Sequence, residues 1–435
     1  MTRAPVAGSL PNAYPMYLAT ASGPPATASW TYIDGLPQLN SQLDSWLLGV
    51  LDAKAASTGR RYRPEMALSA GPASLSGPGT TLTGQAIKAA GSFIVYRESE
   101  KDTSADGTST VMSRTFFADT GTGQITPAAD LLRPDAVPGI NARAADELHP
   151  DQRATAAPAV SAMADLVIDG DGTLEVSVPS AQGKGDGTVV RIGPEEAEAA
   201  LSDVGRRVLS QIRSDAPFSA PAPTPQGLRH INCDLVPCAA LTYDDGPDAK
   251  NTPQLLAILK EKSTLATFFM LGNNAAANPG VARQVTDAGH IAGNHTYSHP
   301  YLTKLSAAGI KSEMDRASAA IKAATGAVPT IMRPPYGAAN ATVQGVVGMP
   351  LILWAVDSQD WLSLNPDVFV PKVLKELKPG AVVLMHDTHA ATLSGQAGLI
   401  TALQADGYHL VTVPQLFEGQ ALTAGQVYRG RSERQ

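Results

Sequence analysis

Leu241-Thr242-Tyr243-Asp244-Asp245-Gly246-Pro247 ends the apolar run Cys238-Ala239-Ala240-Leu241 with two adjacent carboxylates and a Gly-Pro pair. The run reads as a buried strand, and Gly-Pro as a sharp exit into a loop. Strand side chains alternate in direction, so Asp244 and Asp245 need not point the same way. One can hold a metal while the other faces a substrate. The competing reading is a solvated Asp-Asp-Gly-Pro turn, which is common in loops. Four further polar clusters, taken in order, decide between the two.

Working outward, His295-Thr296-Tyr297-Ser298-His299 puts two histidines at i and i+4, facing one way if the segment is a helical turn. Two neutral imidazoles and a carboxylate, supplied by Asp245, make up the protein ligands of a catalytic zinc site that keeps a position open. Arg333-Pro334-Pro335-Tyr336-Gly337 follows a strand-like run. The arginine is suited to clamp a carboxylate, and the first free amide after the prolines is that of Tyr336, placed to face an oxyanion. Asp357-Ser358-Gln359-Asp360-Trp361 and Leu384-Met385-His386-Asp387 also follow apolar runs. In parallel β/α architectures, the carboxyl ends of strands are where catalytic residues gather.

The surrounding pattern fits that architecture. Predicted strands at Ala239–Tyr243, Ala266–Leu271, Thr330–Arg333, Leu351–Val356, Ala381–Met385 and His409–Val413 alternate with predicted helices. The helices are Pro253–Lys262, Pro279–Ala288, Ile310–Thr325, Asp367–Leu377 and Gly395–Asp406.

Upstream the character differs. Small residues and Pro24-Pro25 predict a disordered segment over 1–28. Leu36, Leu39, Leu43, Leu47, Val50 and Leu51 give one apolar helical face. Gly71–Gly84 reads as loop, Ser92–Tyr96 and Thr110–Ala118 as strands, and Asp169–Gly172 as the turn of a hairpin. Pro194 opens a helix predicted to run through Ile212. The organisation is therefore a disordered tail (1–28), an α+β domain (29–213), a proline-rich linker (214–229), an α/β domain (230–418) and a polar tail (419–435).

Of the 435 residues, 43% are hydrophobic and 17% charged, and the formal net charge is -7. That length suffices for two or three cores, and that charge excludes a nucleic-acid footprint. No apolar run is long enough for a membrane span. Met1 to Trp30 has no apolar h-region, so either the protein is cytosolic or a targeting segment has been removed. The two cysteines, Cys233 and Cys238, either pair, as in an oxidising compartment, or are free thiols entering a strand. Pairing is the favoured reading.

The five clusters resemble, in order, the motifs of the polysaccharide deacetylases of carbohydrate esterase family 4, over roughly residues 230–418. Tyr243 departs from the phenylalanine usual in that family. The resemblance implies a distorted, partly open (β/α) barrel. It implies Asp245, His295 and His299 as ligands of a divalent metal, most often Zn2+. It implies Asp244 as general base oriented by Arg333, and the Tyr336 amide as oxyanion donor. His386 becomes the acid for the leaving amine, with Asp360 as its expected carboxylate partner and Asp357 as the alternative. Trp361 and Leu384 line the acetyl slot.

Residues 29–213 resemble the extracytoplasmic domain that precedes several bacterial cell-wall deacetylases, through strand content, the turn at Asp119–Ile125, and position. That implies peptidoglycan as substrate and an extracellular or cell-envelope location. The expected function is removal of N-acetyl groups from N-acetylglucosamine or N-acetylmuramic acid units. The alternatives are a chitin-oligomer or xylan deacetylase, and a cell-wall binding or sensing protein in which the barrel is secondary.

Overall fold

The computed structural model describes residues 10–68, 77–147, 165–178, 188–214 and 216–432. The chain falls into two compact units, Met1–Tyr62 with Pro72–Thr224, and Arg63–Gly71 with Pro225–Gln435.

In the first unit, β1 (Ala13–Ala19), β2 (Ala26–Ile33), β3 (Gly79–Ala90), β4 (Phe93–Thr103), β5 (Ser109–Asp119) and β6 (Ile125–Pro127) form one sheet in chain order. The pair β2/β3 is parallel, and helix Pro37–Ala56 lies between them in sequence. The helix buries Leu39, Leu43, Leu47 and Leu51, the face its spacing predicts. A second, antiparallel sheet holds β7 (Leu166–Ile168), β8 (Leu174–Val178) and β9 (Thr188–Ile192).

Several expectations here need correction. Disorder over 1–28 is wrong where the residues are described, because β1 pairs antiparallel with β2 and Pro24-Pro25 lies in the hairpin connection. Met16 and Leu18 point inward while Tyr17 is exposed, a period of two hidden among small residues. The loop expected at Gly71–Gly84 gives way to β3, which begins at Gly79; residues 71–76 of it lie outside the described residues. The helix from Pro194 is two helices, Pro194–Ala200 and Asp203–Arg213. Ser202 breaks it by capping the second, its hydroxyl accepting from the Gly205 amide. The proline-rich stretch is tied down as well: Asn12 Nδ2 donates to the Pro221 carbonyl at 2.7 Å and the Thr224 amide to Asp34 Oδ2 at 2.8 Å. The first unit thus runs to Thr224.

The second unit is built on β10 (Cys238–Asp244), every residue of which is buried. Around it lie β11 (Thr267–Met270), β12 (Ile291–Asn294), β13 (Leu351–Ile352), β14 (Val356–Asp357), β15 (Val382–His386), β16 (His409–Leu410) and β17 (Val427–Tyr428). The main sheet runs β12-β11-β10-β15-β14, all parallel, with β16 also pairing with β10. Strands covered on both faces read as unbroken apolar runs, which is why β10, β11 and β15 were legible. Helices Asn251–Glu261, Pro279–Asp287, Ala307–Thr325, Pro366–Glu376 and Ala390–Ala405 occupy the predicted positions. Their apolar faces meet the sheet in a core that includes Leu255, Leu259, Val285, Ile321, Val373 and Leu399.

Glycine-interrupted β12 was not anticipated. Thr330–Arg333 shrinks to two isolated bridges at Met332, one with Asn294 and one with Leu351, and cannot run on because Pro334-Pro335 supply no amide donors. Leu351–Val356 splits into β13 and β14 around Trp354. The polar tail is not free: β17 pairs with β13, and Arg431 Nη2 lies 2.8 Å from Asp234 Oδ2. Cys233 and Cys238 are disulfide-bonded. Among the described residues, no helix is long and apolar enough to cross a membrane.

Candidate active site

The site assembles because parallel strands end together. Asp244, the last residue of β10, is in register with Phe269 of β11 and His386 of β15. Asn294 ends β12 and leads into His295, while the Arg333 amide donates to the Asn294 carbonyl at 2.9 Å. Asp357 ends β14 and leads to Asp360. All five polar clusters therefore meet at the carboxyl end of the sheet.

Asp245 leaves its strand at φ +73. Its Oδ1 lies 3.5 Å from His295 Nε2 and 3.4 Å from His299 Nε2. One donor atom from each of the three residues falls within 4.8 Å of the others. The expected helical turn is absent. Thr296 and His299 both have positive φ, 70° and 63°, and an irregular loop brings the imidazoles to 5.0 Å between centroids. That loop is held by Asn294 Oδ1, which accepts the Thr296 amide at 2.7 Å, and by Glu313. Glu313 accepts the amides of Tyr297 and Ser298 and the Ser298 hydroxyl, at 2.9, 2.8 and 2.9 Å.

The protonation pattern suits a cation. His295 Nδ1 is 2.7 Å from the Arg333 carbonyl, which can only accept, so Nδ1 carries the proton and Nε2 presents a lone pair. Burial pushes the His295 pKa down to about 3, so the ring is neutral at ordinary pH. Asp245 Oδ1 is buried without a hydrogen-bond partner. An acceptor with no donor, beside two imidazole nitrogens, fits a divalent ion held by two histidines and one carboxylate.

Beside this cluster, Arg333 is fully buried. Its Nη1 donates to Asp244 Oδ1 at 2.7 Å, Nε to the Ile352 carbonyl at 2.9 Å, and Nη2 to the Leu353 carbonyl at 3.3 Å. The guanidinium also lies 4.2 Å from the centroid of the Phe269 ring. Burial pushes the Asp244 carboxyl above its ordinary range, against the opposing charge of Arg333. A raised pKa makes the carboxylate a stronger base.

On the other side, Asp360 is completely buried. Its Oδ1 accepts from His386 Nδ1 at 2.9 Å, and Oδ2 accepts the His386 amide at 2.8 Å and the Thr392 hydroxyl. Burial would lower His386, but the Asp360 carboxylate outweighs it and raises the pKa to about 9. Asp357 instead accepts the Gln359 amide at 2.9 Å within its own loop. Leu384 is buried on β15 two residues before His386, hence on the same strand face, and Trp361 is half exposed beside Asp360. Tyr336 sits in a tight turn at φ +62, its hydroxyl 3.1 Å from His299 Nδ1 and its ring stacked on Tyr301.

Sequence reasoning missed Glu313, Asn294, Tyr301 and Asp387. Asp387 is buried, accepts the Thr252 hydroxyl, and is pushed up to about 7 by burial. It lies so close beneath Gly246 that a Cβ there would meet Oδ2 at 2.3 Å. The glycine of the opening motif thus makes room for a carboxyl group, a signal the neighbouring His386-Asp387 pair could have offered.

Known proteins share this chain's second unit. The polysaccharide deacetylase family profile matches residues 232–348. The peptidoglycan-N-acetylglucosamine deacetylase of Listeria monocytogenes is 40% identical over 194 residues, 45% of this chain and 41% of that protein. The chain thus spans about two-fifths of that relative's length. A peptidoglycan-N-acetylglucosamine deacetylase of Bacillus cereus is 35% identical over 189 residues, 41% of this chain and 68% of that protein. The chitooligosaccharide deacetylase of a Bradyrhizobium species is 35% identical over 194 residues, 40% of this chain and 89% of that protein. Two relatives matched over more than two-thirds of their own length carry the assignment that the strand-end clusters first suggested: this chain belongs to the polysaccharide deacetylase family, carbohydrate esterase family 4.

Proposed function

We propose that the protein is a metal-dependent N-deacetylase of cell-wall polysaccharide, acting on N-acetylglucosamine or N-acetylmuramic acid units of peptidoglycan. The observation that carries this is the meeting of a ligand-ready Asp245/His295/His299 cluster with two oppositely tuned pairs, Asp244–Arg333 and His386–Asp360. An acetamide is a poor electrophile with a poor leaving group, so it needs an activated water, a stabilised oxyanion and a proton donor for nitrogen. A bound divalent ion, zinc in this reading, supplies Lewis acidity and an acidified water ligand.

The chain's own residues supply the rest. Arg333 occupies Asp244 Oδ1, which leaves Oδ2 to accept the proton of the attacking water. The Tyr336 amide donates to the oxyanion. Asp360 fixes His386 through Nδ1, so Nε2 delivers a proton to the departing amine. Trp361 and Leu384 receive the acetyl methyl. The fold of this reading is a distorted, partly open (β/α) barrel over 230–418, supported by the short segment that runs from β13 straight into β14. The first unit, which includes β1 and runs to Thr224, is in this reading a separate recognition domain. The disulfide and the cell-wall relatives favour an extracellular or envelope location. The Bradyrhizobium relative keeps a chitin-oligomer substrate as the second reading.

The test is acetate release from peptidoglycan fragments and from chitin oligomers, with and without chelator. Release that survives both chelation and Asp244→Asn overturns the mechanism.

A further inference from the structure

The two imidazoles that face Asp245 are oriented by different means. His295 Nδ1 meets a main-chain carbonyl, which fixes its tautomer unconditionally. His299 Nδ1 meets the Tyr336 hydroxyl at 3.1 Å, and a phenol can either donate or accept. His299 Nε2 lies 3.4 Å from Asp245 Oδ1. For Nε2 to offer a lone pair to a cation, Nδ1 must carry the proton and the phenol must accept it.

The phenol is held in turn. The Tyr336 ring stacks on Tyr301, with centroids 3.9 Å apart and planes 13° from parallel, and meets the His299 ring edge-on at 4.6 Å. Tyr301 stands two residues beyond His299, and Lys304 Nζ lies 4.5 Å from the centroid of its ring. Tyr336 and Tyr301 are both substantially exposed, 54% and 43%, so core packing alone does not fix Tyr336. The stack is what holds the hydroxyl against the imidazole.

We propose that Tyr336 and Tyr301 are positioning residues for the cation site: the Tyr336 hydroxyl, accepting the His299 Nδ1 proton, fixes the aim of that ring, and Tyr301 holds the hydroxyl in place. Tyr336 thereby couples its backbone, in the left-handed turn facing the site, to a metal ligand. This rests on the Asp245/His295/His299 reading and adds to it.

The experiment is titration of the full-length, chelator-treated protein with Zn2+ by calorimetry, alongside the Co2+ absorption spectrum. Groups that orient a histidine ligand typically contribute ~10- to 100-fold in metal affinity. Tyr336→Phe, which keeps the ring and removes the hydroxyl, should weaken Zn2+ binding roughly tenfold and alter the Co2+ bands. Tyr301→Ala should give a smaller loss in the same direction, and Tyr301→Phe, which keeps the stack, should bind Zn2+ like the unaltered protein. Asp245→Ala is the reference for loss of the site. If Asp245→Ala abolishes binding while Tyr336→Phe binds with unaltered affinity and spectrum, this inference is overturned and the ligand assignment stands. If the unaltered protein takes up no Zn2+ or Co2+, both are overturned.

Discussion

The two flanks of the site treat a buried carboxylate–base pair in opposite ways. On the Asp244 side, burial dominates: Asp244 is pushed up and His295 is pushed down, so both are biased toward their neutral forms. On the His386 side, Asp360 overrides burial, so the imidazole keeps its proton to about 9 and Asp360 stays below the ordinary carboxylate range. The difference lies in hydrogen-bond supply. Asp360 receives His386 Nδ1, the His386 amide, the Trp361 amide and two hydroxyls, whereas Asp244 receives one guanidinium that it shares with two carbonyls. A carboxylate so well solvated by donors stabilises a charged neighbour, and one less supplied is left as a base.

Asp244→Asn should have the largest effect. On the proposed mechanism it removes the general base, and it leaves Arg333 without its carboxylate, so deacetylation should fall by ~10³-fold or more, within the range of general-base loss. Because Arg333 is wholly buried, the same variant should lose about 3 kcal/mol in urea unfolding. Retention of full stability would mean the guanidinium is neutralised elsewhere.

Asp360→Asn tests the other flank. His386 should lose its elevated pKa, and the alkaline limb of the pH–rate profile should move from near 9 toward or below the ordinary histidine value. An unmoved limb would refute the assignment of His386 as the acid. Linkage gives the flanks opposite signs in metal-free protein. His295 titrates in the fold near 3, below its unfolded value, so stability should rise with pH between 3 and about 6.5. His386 titrates near 9, above its unfolded value, so its contribution is fully present below about 6.5 and lost as pH rises through 9. Melting temperatures across that range should show both limbs, and Asp360→Asn should flatten the alkaline one.

Glu313→Gln should have a milder effect. It weakens a loop held by three hydrogen bonds and should lower metal affinity by ~10-fold without shifting either pH limb. The smallest effect belongs to Tyr243→Phe. The Tyr243 hydroxyl donates to Gln396 Oε1 at 2.8 Å in the core, so its loss should lower stability by about 1 kcal/mol and leave catalysis unchanged.

What was legible in the sequence follows from where the chemistry sits. Asp244, Asp245, Arg333 and His386 each close or follow a buried run, so the apolar pattern announces the residue. His295 and His299 were found by type and spacing, but the backbone was misread: left-handed φ at Thr296 and His299 has no periodic signature when no glycine marks it. Glu313 was invisible because a glutamate within a long helix looks like any solvated acid until a loop packs its amides onto it. The first unit was harder throughout. Its edge strand β1 carries an in-out pattern of only two buried residues, Met16 and Leu18, within a stretch of small residues and prolines that composition reads as disorder.

The short strand β17 has a consequence for anyone trimming this protein. The Leu353 amide donates to the Tyr428 carbonyl, and Leu353 and Ile352 in turn offer their carbonyls to the buried guanidinium that steadies Asp244. Deleting the last few turns of chain beyond 418 would therefore unfasten the backing plate of the arginine. Such a shortened chain would loosen the guanidinium beside Asp244 while keeping every motif residue intact.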